Sequence, residues 1–133
     1  MLINKLLLKK MEEDIEEGED DGIYVTQSLK NIVVMLWQNK TLNVLEMDNW
    51  NINNENFEAL WDGLEKNQNI CKLSFARNMI DDSNPDLIAR LLNAYMTSVK
   101  YIDLSSNKIG SRSAVKLAHV LKTNKLLTHL DLK

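Results

Sequence analysis

A single cysteine, Cys71, rules out an internal disulfide in this 133-residue chain, which suits a reducing compartment or a fold that needs no staple. One proline and four glycines are too few for a turn-dense sandwich or a glycine-repeat fibre. The glycines stand scattered at Gly18, Gly22, Gly63 and Gly110, so no loop cradles a phosphate and nucleotide chemistry has no support. The longest apolar run, Ile32 to Trp37, has six residues, whereas a membrane-spanning helix needs about twenty. Leu6, Leu7 and Leu8 are too short for a signal-peptide core, and the acids behind them exclude a mitochondrial presequence. These absences point to a cytoplasmic protein without membrane insertion.

What is present is leucine and asparagine, 21 and 16 residues, and enrichment in both directs attention to internal repeats. Charge is distributed unevenly. Glu12, Glu13, Asp14, Glu16, Glu17, Glu19, Asp20 and Asp21 place eight acids and no base in ten positions, leaving 16 bases against 11 acids elsewhere. So dense a block repels itself and is strongly hydrated, so residues 12–22 read as an exposed acidic loop inserted into the fold. As a calcium loop of EF-hand type it fails: with Gly22 at the glycine position, Ser28 falls where a bidentate Glu is required. No basic stripe interleaved with aromatics suits nucleic acid, and none is expected as a partner.

The carboxyl-terminal segments align on a period of 28 or 29 residues. Leu42-Asn43-Val44-Leu45-Glu46-Met47 is followed by Ile70-Cys71-Lys72-Leu73-Ser74-Phe75, by Val99-Lys100-Tyr101-Ile102-Asp103-Leu104 and by Leu127-Thr128-His129-Leu130-Asp131-Leu132. Each is apolar at places one, four and six, and Ile52, Ile80 and Ile109 recur five residues beyond. Between these segments the spacing becomes helical: Phe57, Leu60, Trp61, Leu64; then Ile88, Leu91, Leu92, Tyr95; then Val115, Leu117, Ala118, Leu121. An earlier stripe, Leu29, Ile32, Val33 and Leu36, has Asn39 standing 28 residues before Asn67. Ile3, Leu6 and Leu8 repeat the strand spacing 39 residues before Leu42, an excess of eleven that matches the length of the acidic block.

This pattern resembles the leucine-rich repeat family in its ribonuclease-inhibitor-like variant, most clearly over Val99 to Ile109. The resemblance implies an α/β solenoid, a horseshoe segment with parallel strands on the concave face and helices on the convex face. It covers nearly the whole chain except residues 12–22, and implies a single domain over residues 1–133 of about four to five units with that acidic insertion. The last unit is incomplete, since Lys133 follows its strand directly; terminal repeats ordinarily need a cap, so the expectation is a longer chain or a covering partner. In the family an Asn at the ninth place satisfies loop backbone. Asn78 and Asn107 match, but Trp50 departs, which implies a lost rung or a handover to Asn49, and a partly exposed indole. The other asparagines cluster in loops, as at Asn49, Asn51, Asn53, Asn54 and Asn56, and compositional bias explains them as well as a function would. Asp82 or Ser83 before Pro85, and Gly110 with Ser111, read as helix starts.

Strand alternation turns two columns outward, Val44, Lys72, Tyr101 and His129 beside Glu46, Ser74, Asp103 and Asp131. An aromatic, a base and several acids together suit protein recognition, and these eight residues are the candidate protein-binding face. His129 near Asp103 and Asp131 invites a metal or general-base role, but a flat sheet lacks the enclosing pocket such chemistry needs. Cys71 reads as an ordinary thiol, His119 as a surface residue and Trp61 as core. No cofactor and no catalytic group is expected.

The chain therefore reads as a non-catalytic protein–protein interaction module, part of a longer chain or larger assembly. Relatives implied by the resemblance include ribonuclease inhibitor, intracellular innate receptors, tropomodulin, the activator of the Ran GTPase, and flagellar and cytoskeletal scaffolds. Two alternatives stand beside this reading. One is a structural block of a cytoskeletal, ciliary or organellar complex, touching its neighbours through its ends and convex helices. The other is a regulator of a GTPase.

Overall fold

The computed structural model describes residues 21–92 and 98–133. Strand and helix alternate along them: α1 (Asp21–Gln38), β1 (Val44–Glu46), α2 (Asn54–Lys66), β2 (Lys72–Ser74), α3 (Pro85–Leu91), β3 (Tyr101–Asp103), α4 (Ser111–Leu121) and β4 (His129–Asp131). The four strands form one parallel sheet in the order β1-β2-β3-β4. Its register follows the sequence period: Val44 pairs with Lys72, Lys72 with Tyr101, and Tyr101 with His129. Parallel neighbours need a crossover, and each crossover here is a helix.

Leu45 and Leu73 are fully buried at the strand centres, with Ile102 nearly so. Met47, Phe75 and Leu104 at strand exits, Ile52 and Ile80 in the loops, and Leu60, Leu64, Ile88 and Leu92 near the helices join them in one cluster. Each such side chain contributes roughly 1.5–3 kcal/mol by leaving water. Phe57 meets Phe75 edge-on, with ring centroids 5.1 Å apart, which links α2 to the β2 exit. All four stripe residues of α2 are buried, and in α1 Leu29, Ile32 and Leu36 are buried with Val33 partly so.

Several expectations need correction. Asp21 and Gly22, read as the end of the acidic loop, lie in α1 instead. Residues 12–20, the Ile3-Leu6-Leu8 strand, Tyr95 and the side chains of Ser28 and Leu91 lie outside what is described. In α4 the inward stripe is Ser113 and Leu117, with Val120 partly buried; Val115 is 69% exposed, and Ala118 and Leu121 are exposed too. The helix is rotated relative to the stripe because Ser113, a polar residue outside the apolar pattern, takes a buried position.

The helix starts also differ. Asn53 caps α2 through a reciprocal box with Asn56. At α3 the cap position is Asn84, with Pro85 in the first turn and no side-chain bond, so neither Asp82 nor Ser83 serves it. Asp82 serves the next helix instead, accepting the amides of Gly110, Arg112 and Ser113 at 3.2, 3.0 and 2.8 Å. Gly110 does stand at the start of α4. Its Cα passes so close to that carboxylate that a Cβ would lie 2.7 Å from Asp82 Oδ2, which explains a glycine there.

With glycine scarce, other residues take the left-handed turns. Asn49, Arg77 and Ser106, equivalent positions in three units, have φ of 60°, 55° and 57°. Each costs on the order of 1 kcal/mol for a non-glycine residue, least for Asn. The turn delivers the ninth-place side chain into the loops. Asn78 Nδ2 donates to the carbonyls of Met47 and Phe75, both at 2.9 Å, and Asn107 Nδ2 donates to Phe75 and Leu104 at 2.8 and 3.0 Å. Trp50, in the same place, is 5% exposed and belongs to the core, against the expectation of partial exposure. Asn49 is exposed, and among the described residues its side chain makes no hydrogen bond that would replace a rung.

The other asparagines include a second ladder, at the helix ends. Asn67 Nδ2 donates back to the carbonyls of Leu36 and Asn39, while its Oδ1 accepts the amides of Asn69 and Ile70. Asn124 repeats this on Leu92, Leu126 and Leu127, and Asn39 Oδ1 accepts Thr41 and Leu42. Compositional bias therefore does not account for these three.

Candidate functional site: the exposed face of the parallel sheet

The strands are three residues long, so each contributes only its first and third side chains to the outer face. Parallel register then aligns those side chains across strands. Lys72, Tyr101 and His129 of the first column touch in sequence, and Glu46 of the second column joins them at Lys72. Lys72 Nζ lies 3.2 Å from Glu46 Oε1 and 5.0 Å from the centre of the Tyr101 ring, and that ring stacks on His129 with centroids 5.5 Å apart and planes inclined by 30°. Four of the eight predicted residues thus form one continuous strip across the sheet. The Glu46 hydrogen bond raises the Lys72 ammonium above its ordinary value, against a smaller opposing effect of desolvation, so the strip keeps its cation. Thr128 Oγ1 lies 3.0 Å from His129 Nδ1 and fixes the ring edge.

The second column divides. Asp103 and Asp131 are half-buried and each folds back on its own chain, accepting the amides of Ser105 at 2.9 Å and Lys133 at 3.0 Å. Ser74 departs from the expectation. It is 3% exposed, because its short side chain lies under Asp48, to which its hydroxyl donates. Asp48, itself half-buried, also accepts the Ala76 amide at 3.0 Å. The period-two alternation that continues from Glu46 to Asp48 was the signal for including it. Val44 is half-buried at the strip's first-strand end.

The remaining candidates lie elsewhere. Among the described residues, no three His, Cys, Asp or Glu side chains converge so as to hold a metal ion. Cys71 is half-buried, with Sγ 3.3 Å from the Asn43 carbonyl. His119 is exposed on α4. Trp61 is core, with the Arg90 guanidinium 5.4 Å from its ring centre, while Trp37 is 42% exposed beneath Lys66 Nζ at 4.5 Å. Among the described residues no helix is long and apolar enough to cross a membrane.

No protein-family model and no curated protein matches the sequence. Solved structures similar to it include one from leiomodin-1 and one from tropomodulin. Leiomodin-1 actin-binding site 2 aligns at 21% identity over 80% of this chain and 62% of that one, with a TM-score of 0.65. The tropomodulin C-terminal domain from Caenorhabditis elegans aligns at 14% identity over 79% of this chain and 82% of that one, with a TM-score of 0.51. The chain thus spans less than two thirds of the leiomodin-1 structure. At these identities the likeness establishes a shared α/β architecture of parallel strands and helices.

Proposed function

We propose that this chain is a non-catalytic, cytoplasmic protein-interaction module of the cytoskeleton, built as a leucine-rich-repeat solenoid of ribonuclease-inhibitor-like units over residues 1–133. On this reading the sheet is the concave face and docks a protein partner, as part of a larger assembly, through Glu46, Lys72, Tyr101, Asp103, His129 and Asp131 with Val44 at the margin. Ser74 acts from beneath by holding Asp48. The observation that carries the reading is the continuous strip from Glu46 through Lys72 and Tyr101 to His129. An aromatic flanked by a paired cation and a second ring is a rigid anchor that loses little entropy on binding. The leiomodin-1 likeness makes actin the first partner to try, and tropomodulin is among the relatives that the repeat pattern implies.

Co-sedimentation with filamentous actin tests this. The wild-type chain pellets with filaments, and Tyr101→Ala or Lys72→Glu weakens binding by about thirtyfold, as expected for hot-spot residues worth about 2 kcal/mol. Variants that pellet like the wild type would remove the sheet face from the contact. A second reading, contact through convex helices, is favoured by Val34 and Trp37, which are 45% and 42% exposed beside an apolar groove that Leu29 and Ala59 also line. Trp37→Ala in the same assay separates the two.

A further inference from the structure

We propose that the outward face of α4 docks the acidic segment Glu12–Asp21 of a second copy of this chain, so that copies associate head to tail. From Leu104 to Leu130 the sequence carries Lys108, Arg112, Lys116, Lys122 and Lys125 and no acid. Ser113 and Leu117 anchor α4 inward, which turns Arg112, Lys116, His119 and Lys122 to solvent around Val115, itself 69% exposed. Arg112, Lys116 and His119 fall at i, i+4 and i+7 and make a continuous stripe. Lys116 shares its charge with Asp86 at 3.1 Å, both groups more than half exposed. Arg112, Lys122 and Lys125 form no ion pair among the described residues. Asp82, the acid nearest the start of α4, is committed to its backbone amides.

The basic character belongs to this helix and not to the repeat. The corresponding helix α2 carries Glu55, Glu58, Asp62 and Glu65 against a single Lys66. An exposed valine ringed by cations fits an acidic segment with an occasional apolar residue, and Glu12–Asp21 is such a segment, with Ile15 among its eight acids. The occupant comes from another copy for a geometric reason. Helices α1 and α4 are separated by α2 and α3, and at about 8–10 Å per helix–helix step they stand roughly 24–30 Å apart. Nine residues preceding Asp21 reach at most about 32 Å when fully extended, so crossing that gap would use up most of them and leave too few to lie along α4 of the same molecule. A contact between the segment that precedes α1 in one copy and the face of α4 in another is heterologous, so it repeats from copy to copy.

Sedimentation velocity on the full chain tests the proposal without reference to the sheet face. At 0.1 M salt, where the Debye length is about 10 Å, weight-average mass rises with concentration; at 1 M, where it is about 3 Å, the apparent Kd weakens by at least about tenfold. Arg112→Glu with Lys122→Glu abolishes association, as does Glu13→Lys with Glu16→Lys and Glu17→Lys. Circular dichroism confirms that each variant is folded. Mixing the two charge-reversed proteins restores a complex of one with the other. A chain that is monomeric at both salt concentrations overturns the proposal, as does a mixture that fails to associate, whether the α4 face then binds a foreign acidic protein or nothing.

Discussion

Asn78 Oδ1 accepts the Trp50 amide at 2.9 Å across 28 residues of sequence, so the side chain of one unit supplies the hydrogen bonds of the loop before it. The same oxygen accepts the Ile52 amide at 3.0 Å, and the amide nitrogen donates to Met47 on that loop. At 7% exposure, water cannot readily replace these partners. Asn78→Ala is expected to cost about 3–4 kcal/mol, since several buried peptide groups lose partners worth roughly 1–3 kcal/mol each. Asn107→Ala, at a half-buried position, costs less. Urea unfolding midpoints measure both, and equal losses would show that burial does not set the value of a rung.

Asn67 makes the same kind of argument at the other end of the helix. Its side chain bonds four backbone groups, two in its own turn and two in the preceding unit, and it is 1% exposed. Asn67→Ala should lower stability by about 2–4 kcal/mol. Asn124→Ala, where Leu126 is exposed and water reaches the same groups, should lower it by about 1 kcal/mol. The comparison is made by thermal melts at one protein concentration.

Asp82 links α4 to the preceding unit, and its link is sensitive to acid. The Ser113 side chain adjoins the carboxylate and, with the amides of Ser113, Arg112 and Gly110, holds it below the ordinary carboxylate range, more than offsetting desolvation. The Ser113 hydroxyl is buried and makes no hydrogen bond among the described residues, so the hydrogen bonds on Asp82 are those of the three amides. A depressed folded-state pKa contributes stability that is present above the unfolded value, near 3.8, and is lost as pH falls through the folded value. The difference in melting temperature between wild type and Asp82→Asn is therefore expected to be constant from pH 7 to 5 and to shrink below pH 4. Gly110→Ala should destabilise at every pH by about 1–3 kcal/mol, because its Cβ would meet Asp82 Oδ2 at 2.7 Å.

The strand pairing could be read from the sequence because a parallel register copies the repeat: residues 28 or 29 apart became Cα partners in three consecutive pairs of strands. The outer columns followed from alternation, and seven of their eight residues lie at the surface or partly so. Ser74 did not, because alternation gives the direction of a Cβ and not what leans over it; Asp48 does that. The rotation of α4 was hidden for a related reason, since Ser113 is buried but does not count as apolar. Asn67 and Asn124 were present as a period, yet their roles depend on backbone carbonyls one unit away, which no side-chain pattern records.

Trp50 shows how packing outweighs a repeat's polar rule. The ninth-place amide of one unit serves the loop before it, as Asn78 serves the loop from Met47 to Ile52. In exchange for a rung the position buries an indole to 5% exposure within the core that also holds Met47, Ile52 and Phe57. Asn49 and Asn51 on either side take positive φ, so the backbone that seats the ring is itself unusual. Trp50→Asn restores the repeat's residue and removes the ring, and the loss is expected to be about 3–5 kcal/mol, as for other buried aromatics. Tryptophan emission should shift towards red, since of the two remaining indoles Trp37 is 42% exposed. Urea unfolding followed by circular dichroism measures the stability change independently of the lost fluorophore. A variant as stable as the wild type would show that the amide ladder, extended by one rung, is worth as much as the buried indole.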